Sequence, residues 1–110
     1  MKKPRTYSPQ AAEAAQLLGN RIRLARLERR WTMEELAERV GINHVTMSKV
    51  ERGDLSVGLG ATFEAAVLAG VPLFHVDAES REQEARNVET RLALLPKRAR
   101  RPMRNISNDF

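Results

Sequence analysis

The stretch from Thr32 to Gly53, TMEELAERVGINHVTMSKVERG, constrains this chain more than any other. Thr32-Met33-Glu34-Glu35 has the form of a capping box. The Thr32 hydroxyl can accept the amide three residues on, and the Glu35 carboxylate can reach back to the Thr32 amide. Leu36, Ala37 and Val40 give the helix that follows one apolar face. Gly41 tolerates the positive φ that ends a helix sharply. Ile42 can plug the angle between two helices, and Asn43 can cap a second helix, whose Met47 and Val50 face inward and which Gly53 ends. The outward face of that second helix carries His44, Val45, Ser48 and Lys49, with Thr46 and Arg52 beside them. An imidazole, a β-branched methyl surface, hydroxyls and cations on one face suit the base edges and phosphates of a major groove. The bland alternative is an αα-hairpin with a solvated polar face.

These residues resemble the helix-turn-helix of phage-repressor-like proteins, the lambda-repressor or Xre type. The shared elements are M-E-E-L-A in the first helix, the G-I-N turn and the ending S-K-V-E-R-G, within a context from Arg21 to Val71 similar to the family's five-helix domain. The resemblance implies an all-α chain: a five-helix lambda-repressor-like DNA-binding domain, here with an additional C-terminal helix and a basic tail. It implies that His44, Val45 and Lys49 face base edges and that Asn43, Thr46 and Ser48 reach phosphate or base edges. Thr32, Met33 and Arg52 complete the DNA-facing set. It also implies a structural ion pair between Arg26 and Glu51, locking the first helix to the third. Two positions depart from the family pattern. Arg30 stands where a Gly is common at the end of the first helix. Met33 stands where a DNA-touching Gln is common, which removes one polar contact.

At 110 residues the chain is long enough for one domain with extensions. A formal net charge of +5 and a pI near 10.4 favour a polyanionic partner without naming it. The absence of Cys removes disulfides, thiolate metal sites and a cysteine nucleophile, and leaves the compartment unconstrained by redox. No apolar run approaches the length of a membrane span. The start, MKKPRTYSPQ, is basic but has no apolar stretch behind it, so it does not read as a signal peptide, and the expected compartment is cytoplasmic.

In chain order, residues 1–8 read as a flexible arm, either simply disordered or touching DNA. Residues 9–76 read as the DNA-binding domain. Ser8-Pro9 is an N-cap followed by Pro at the first helical position. A long helix then runs to about Arg29, with Ala14, Leu18, Ile22 and Ala25 as its stripe and Leu17 widening it. Gly19 marks either a kink or the true start of the first helix. Arg21, Arg23, Arg29 and Arg30 make the polar face basic, suited to solvent or to phosphate. Trp31 is expected to fill core space. A helix from about Ala61 to Ala69 offers Phe63, Ala66, Val67 and Leu68 to the core. After Gly70, Pro72 starts a short segment whose Leu73, Phe74 and Val76 should close the core, with His75 as a partly buried structural histidine.

The composition then shifts. Residues 76–95 carry five acids against three arginines. Ser80-Arg81-Glu82-Gln83 can begin a helix with a capping box. Its apolar seam, Ala85, Val88, Leu92 and Leu95, is too thin to build a core alone, so it calls for packing on the domain or on a second copy. Val88, Leu92 and Leu95 are therefore candidate dimerisation residues, with the Leu73–Val76 segment as the alternative. Residues 96–110, PKRARRPMRNISNDF, carry five cations against one Asp and read as a basic disordered tail, whose partner is either DNA backbone or protein.

No nucleophile–base–orienter set is visible, and GLGATFE follows no strand and lacks a third Gly, so neither an enzyme nor a bound cofactor or metal is expected. Two binding functions compete. One is a stand-alone phage-type repressor acting as a homodimer on palindromic double-stranded DNA. The other draws on a second resemblance in the C-terminal half, where SVGLGATFEAAVLAG, a charged helix, LPKRARRP and a final NDF look like antitoxins paired with Hip-type kinase toxins (HipB-like). That resemblance implies a type II antitoxin that represses its own operon and neutralises a Hip-type serine/threonine-kinase-like toxin.

Overall fold

The structure, a computed structural model, describes residues 6–99. The chain divides into two compact units, Met1–Phe74 and His75–Phe110. Most of the N-terminal arm, residues 1–5, and most of the tail, residues 100–110, lie outside the described residues.

The first unit holds α1 (Pro9–Glu28), α2 (Met33–Val40), α3 (His44–Arg52) and α4 (Leu59–Ala69). Ser8 caps α1, its Oγ accepting the Ala11 N–H at 3.2 Å, with Pro9 at the first helical position. The helix runs unbroken through Gly19, which is therefore not its start. A Cβ at Gly19 would stand 2.6 Å from the carbonyl oxygens of Val50 and Glu51, so only glycine lets α1 lie this close to the end of α3. Gly53 meets α1 from the other side: φ there is 77°, and a Cβ would come within 2.7 Å of the Gln16 Cα.

α1 ends in a Schellman turn. The Trp31 N–H donates to the Arg26 carbonyl at 3.1 Å, the Arg30 N–H to that of Leu27 at 2.9 Å, and Arg30 carries a φ of 61°. This left-handed position is the one where the sequence departs from a common glycine.

Ile22, Leu36 and Met47 are fully buried, and Ala37, Val50, Ala65, Ala66, Ala69 and Val71 join them to form the core. Each of the three large side chains contributes about 1.5–3 kcal/mol by burial. α1 packs on α3 and α4, and α2 on the same two helices. The inward face of α1 is Gly19, Ile22 and Arg26, with Leu18 and Ala25 half-buried. Ala14 and Leu17 are exposed instead, because they lie outside that stripe.

α4 begins at Leu59 and buries Ala65, Ala66 and Ala69. Val67 is 57% exposed rather than core, since at about 100° per residue it points away from the alanine stripe. Phe63 and Leu68 are half-buried. Residues 71–77 are not helical, so the fifth helix of this all-α chain lies further on. Leu73 packs against the core, but Phe74 is 85% and Val76 84% exposed. At Phe74 a φ of 72° turns the ring outward, where it touches the Phe63 ring edge-on at 6.5 Å.

The second unit contains α5 (Ala78–Ala93). Its N-cap is Asp77, not Ser80: Asp77 Oδ1 accepts the Ser80 N–H at 2.7 Å. That bond, with a second from the Ser80 hydroxyl, holds the Asp77 carboxyl below its usual range. The half-buried His75 ring pairs with the Glu84 carboxylate, and Arg81 donates to the His75 carbonyl at 3.3 Å. No residue of α5 is buried. Among the described residues no helix is long and apolar enough to cross a membrane.

Candidate nucleic-acid interface

The turn between α2 and α3 is held by backbone and caps. Thr32 N donates to Glu35 Oε1 at 2.7 Å and Glu35 N to Thr32 Oγ1 at 3.0 Å, so the capping box is closed in both directions. Gly41 takes a φ of 88°, and the Ile42 N–H reaches back to the Ala37 carbonyl at 3.0 Å. Ile42 packs half-buried against the core, and Asn43 Oδ1 accepts the Thr46 N–H at 2.7 Å to start α3.

Burial of Met47, Val50 and Glu51 fixes the roll of α3. At about 100° per residue, His44, Ser48, Arg52, Val45 and Lys49 then share one arc of about 140° on the other side. His44 and Arg52 are exposed, Val45 is 61% exposed, and Ser48 and Lys49 are half-buried. Thr46 lies half-buried off that arc, and Asn43 is exposed with its oxygen already spent on the cap. Arg52 Nη1 donates to Ser48 Oγ at 2.9 Å. At the end of α3 the hydroxyl and N–H of Ser56 bind Asp54 Oδ1 at 2.7 and 2.8 Å and hold its carboxyl below the usual range.

Behind α3, Arg26 grips Glu51 with both edges of its fork, Nε to Oε2 at 2.6 Å and Nη2 to Oε1 at 3.0 Å, and its Nη1 donates to the Trp31 carbonyl at 2.9 Å. The two side chains are 8% and 3% exposed. Trp31 is half-buried and carries the guanidinium carbons of Arg39 at 4.2 Å and Arg29 at 5.2 Å from its ring centre. Arg29 Nε also caps the Ala69 carbonyl at 2.9 Å. Arg26 and Arg29 are thus engaged within the fold, whereas Arg23 and Arg52 are exposed and Lys49 is half-buried.

The two grooves that reach α3 differ in charge. On one side a groove of about 420 Å³ joins Gln16, Asn20 and Arg23 of α1 to Met33, Ser48 and Arg52, with the Arg26–Glu51 pair among its walls. At the N-terminal end of α3, Thr32 and His44 share a groove with Glu34, Glu35 and Glu38 of α2. The structure therefore gathers Met33, Ser48 and Arg52, and sets Thr32 and His44 in an acidic groove. Gln16 and Asn20 escape a reading of the sequence by charge. Their only signal is the spacing of four and three that aligns them with Arg23 on one face of α1.

A family model described as a helix-turn-helix domain matches residues 17–79. No curated protein and no solved structure shows significant similarity to the chain. The match takes in α2, the turn and α3, and it spans more than half of the 110 residues: the chain belongs to the helix-turn-helix domain family.

Proposed function

We propose that this chain is an operator-binding transcriptional repressor that acts as a homodimer and lays α3 in the major groove. The outward arc of α3 carries the reading: it presents His44, Val45 and Lys49 while the opposite face is locked into the core by Met47, Val50 and the Arg26–Glu51 pair. In this reading His44, Val45 and Lys49 meet base edges. Asn43, Thr46, Ser48 and Arg52 reach phosphate or base edges, and Thr32 and Met33 stand at the near backbone. The site of action is the cytoplasm.

The finer reading is a type II antitoxin that represses its own operon and neutralises a Hip-type kinase-like toxin. Its support is the resemblance of the C-terminal half to HipB-like antitoxins, together with exposed apolar side chains at Phe74, Val76, Leu92, Leu94 and Leu95 that a protein partner could cover. A stand-alone repressor is the alternative. One titration tests both levels. The full chain, Lys49→Ala and a truncation after Leu95 are each titrated with a selected operator and with the kinase-like product of any neighbouring reading frame. Lys49→Ala is expected to weaken operator binding by roughly 1–3 kcal/mol and relax its specificity. Unchanged operator affinity removes Lys49 from the reading face. The truncation is expected to weaken toxin binding and spare most operator affinity, and the reverse pattern would make the tail a DNA arm.

A further inference from the structure

The groove between α1 and α3 has one buried acid, Glu51, and it is neutralised by the two-pronged contact with Arg26. What remains is cationic: Arg23 from α1 and Arg52 from α3, both exposed. Uncharged donors stand between them. Ser48 already steadies Arg52 through its hydroxyl, and the Gln16 amide donates to Asn20 Oδ1 at 3.3 Å, which uses the Asn20 oxygen and leaves its NH₂ as the donor Asn20 can offer. The Met33 side chain brings no donor to its edge of the groove, so the neutral side-chain donors on that side come from α1.

We propose that Asn20 and Arg23 of α1, with Arg52 of α3, form a cradle for a DNA backbone phosphate. The proposal rests on the reading of α3 as the groove-reading helix, and adds α1 residues to it. Two guanidiniums across a concave surface with amide and hydroxyl donors between them match a phosphodiester oxyanion in charge and hydrogen bonding. The groove at the N-terminal end of α3 is lined by Glu34, Glu35 and Glu38 of α2 and offers a phosphate no such cationic pair. Gly19 and Gly53 bring the cradle residues into reach, because a side chain at either position would hold α1 away from α3.

The test uses the full chain and an operator selected from random duplex DNA. Affinity is measured over a salt series for the parent, Arg23→Ala, Arg23→Lys, Asn20→Ala and Arg21→Ala, with Lys49→Ala alongside. Loss of one phosphate contact is expected to lower the slope of log affinity against log salt by about 0.9 per protomer. Arg23→Ala should weaken operator and random duplex by the same factor, about five- to tenfold, and leave their ratio unchanged. Arg23→Lys should recover most of the slope, and Asn20→Ala should weaken both duplexes without changing it. Arg21→Ala, on the same helix but outside the groove, should have the smaller effect. Parent-like affinity and slope in Arg23→Ala, or equal losses in Arg21→Ala, overturn the cradle while leaving the reading of α3 intact. A parent that binds no duplex overturns the reading of α3, and a Lys49→Ala that reads operator as the parent does removes Lys49 from that face. A parent that binds no duplex takes the cradle with it, whereas under a parent-like Lys49→Ala the Arg23 slope still decides the cradle.

Discussion

Arg26 serves two partners from one buried position, the Glu51 carboxylate and the Trp31 carbonyl. Removing Glu51 would leave a guanidinium that is 6% exposed as a residue without its counter-charge. Breaking one partner of such a pair costs about 3–5 kcal/mol, whereas replacing both by apolar groups is often neutral. Glu51→Ala is therefore expected to lower the Tm by about 15 °C or more, at about 4–8 °C per kcal/mol for a domain of this size. Arg26→Met combined with Glu51→Leu should recover much of that loss. Thermal unfolding of the two singles and the double gives the coupling directly, and additive losses would mean the pair holds nothing together.

Two glycines make a second contrast at this scale. Gly41 has a φ of 88° and open space around a Cβ, so Gly41→Ala should cost only the left-handed strain, about 1–2 kcal/mol. Gly19 has ordinary helical φ but meets two backbone oxygens at 2.6 Å, which cannot rotate aside. Gly19→Ala gains about 1 kcal/mol of helix propensity and is still expected to be the more destabilising of the two in urea titration. The opposite order would mean that α1 does not need its close approach to α3. The sequence announced both glycines as special but only Gly41 with its cause, since a close approach depends on a helix that lies 30 residues away.

Among the helices, those with a cap and a narrow apolar face were legible in the sequence. α2 and α3 announce themselves through Thr32, Asn43, Gly41 and Gly53, whose chemistry is local. The misjudged core positions of α4 and the segment after it needed a tertiary partner to decide them. Val67, Phe74 and Val76 are apolar enough for a core, yet α4 packs through its alanines and the chain turns at Phe74. The start of α5 was misplaced by three residues because two capping signals stand within one turn of each other, and Asp77 takes the role by accepting the Ser80 N–H. This cap makes a pH prediction. The two bonds from Ser80 hold the folded pKa of Asp77 below the ordinary aspartate value, so the stabilisation is fully present above that ordinary value and is lost as pH falls below it through the folded value. α5 should fray from its N-terminus in acid, seen as loss of helical chemical shifts at residues 78–81. Asp77→Asn should keep the cap and lose this acid dependence, and Asp77→Ala should fray at neutral pH. Helical shifts in Asp77→Ala equal to the parent's would show that the cap contributes nothing.

At the scale of the whole molecule, the proposed dimer and the proposed operator constrain each other. A two-fold protein calls for half-sites about 34–36 Å apart, one turn of duplex, so that both copies of α3 enter successive major grooves on one face. Val88, at 47%, Leu92, at 62%, and Leu95, at 61%, are exposed along α5 and just past its end, at a spacing that one helix alone cannot bury. The charges beside them are mixed, with Glu84 and Glu89 against Arg91, so an antiparallel pairing can set Glu84 opposite Arg91 where a parallel one sets Glu84 against Glu89. If this seam joins two copies, a charge in its middle should separate them without touching α3. Val88→Asp and Leu92→Asp are each expected to shift the sedimenting species from dimer to monomer at micromolar concentration. The two variants should bind a palindromic operator at least tenfold more weakly than the parent, because the second half-site no longer adds to the first. Binding to a duplex with a single half-site should stay at the parent's level, and Arg91→Glu should weaken the dimer while Glu84→Arg with Arg91→Glu restores it. A dimer that persists in both aspartate variants would move the interface to another surface, with the Leu73–Val76 segment and its exposed Phe74 next to be tested in the same way.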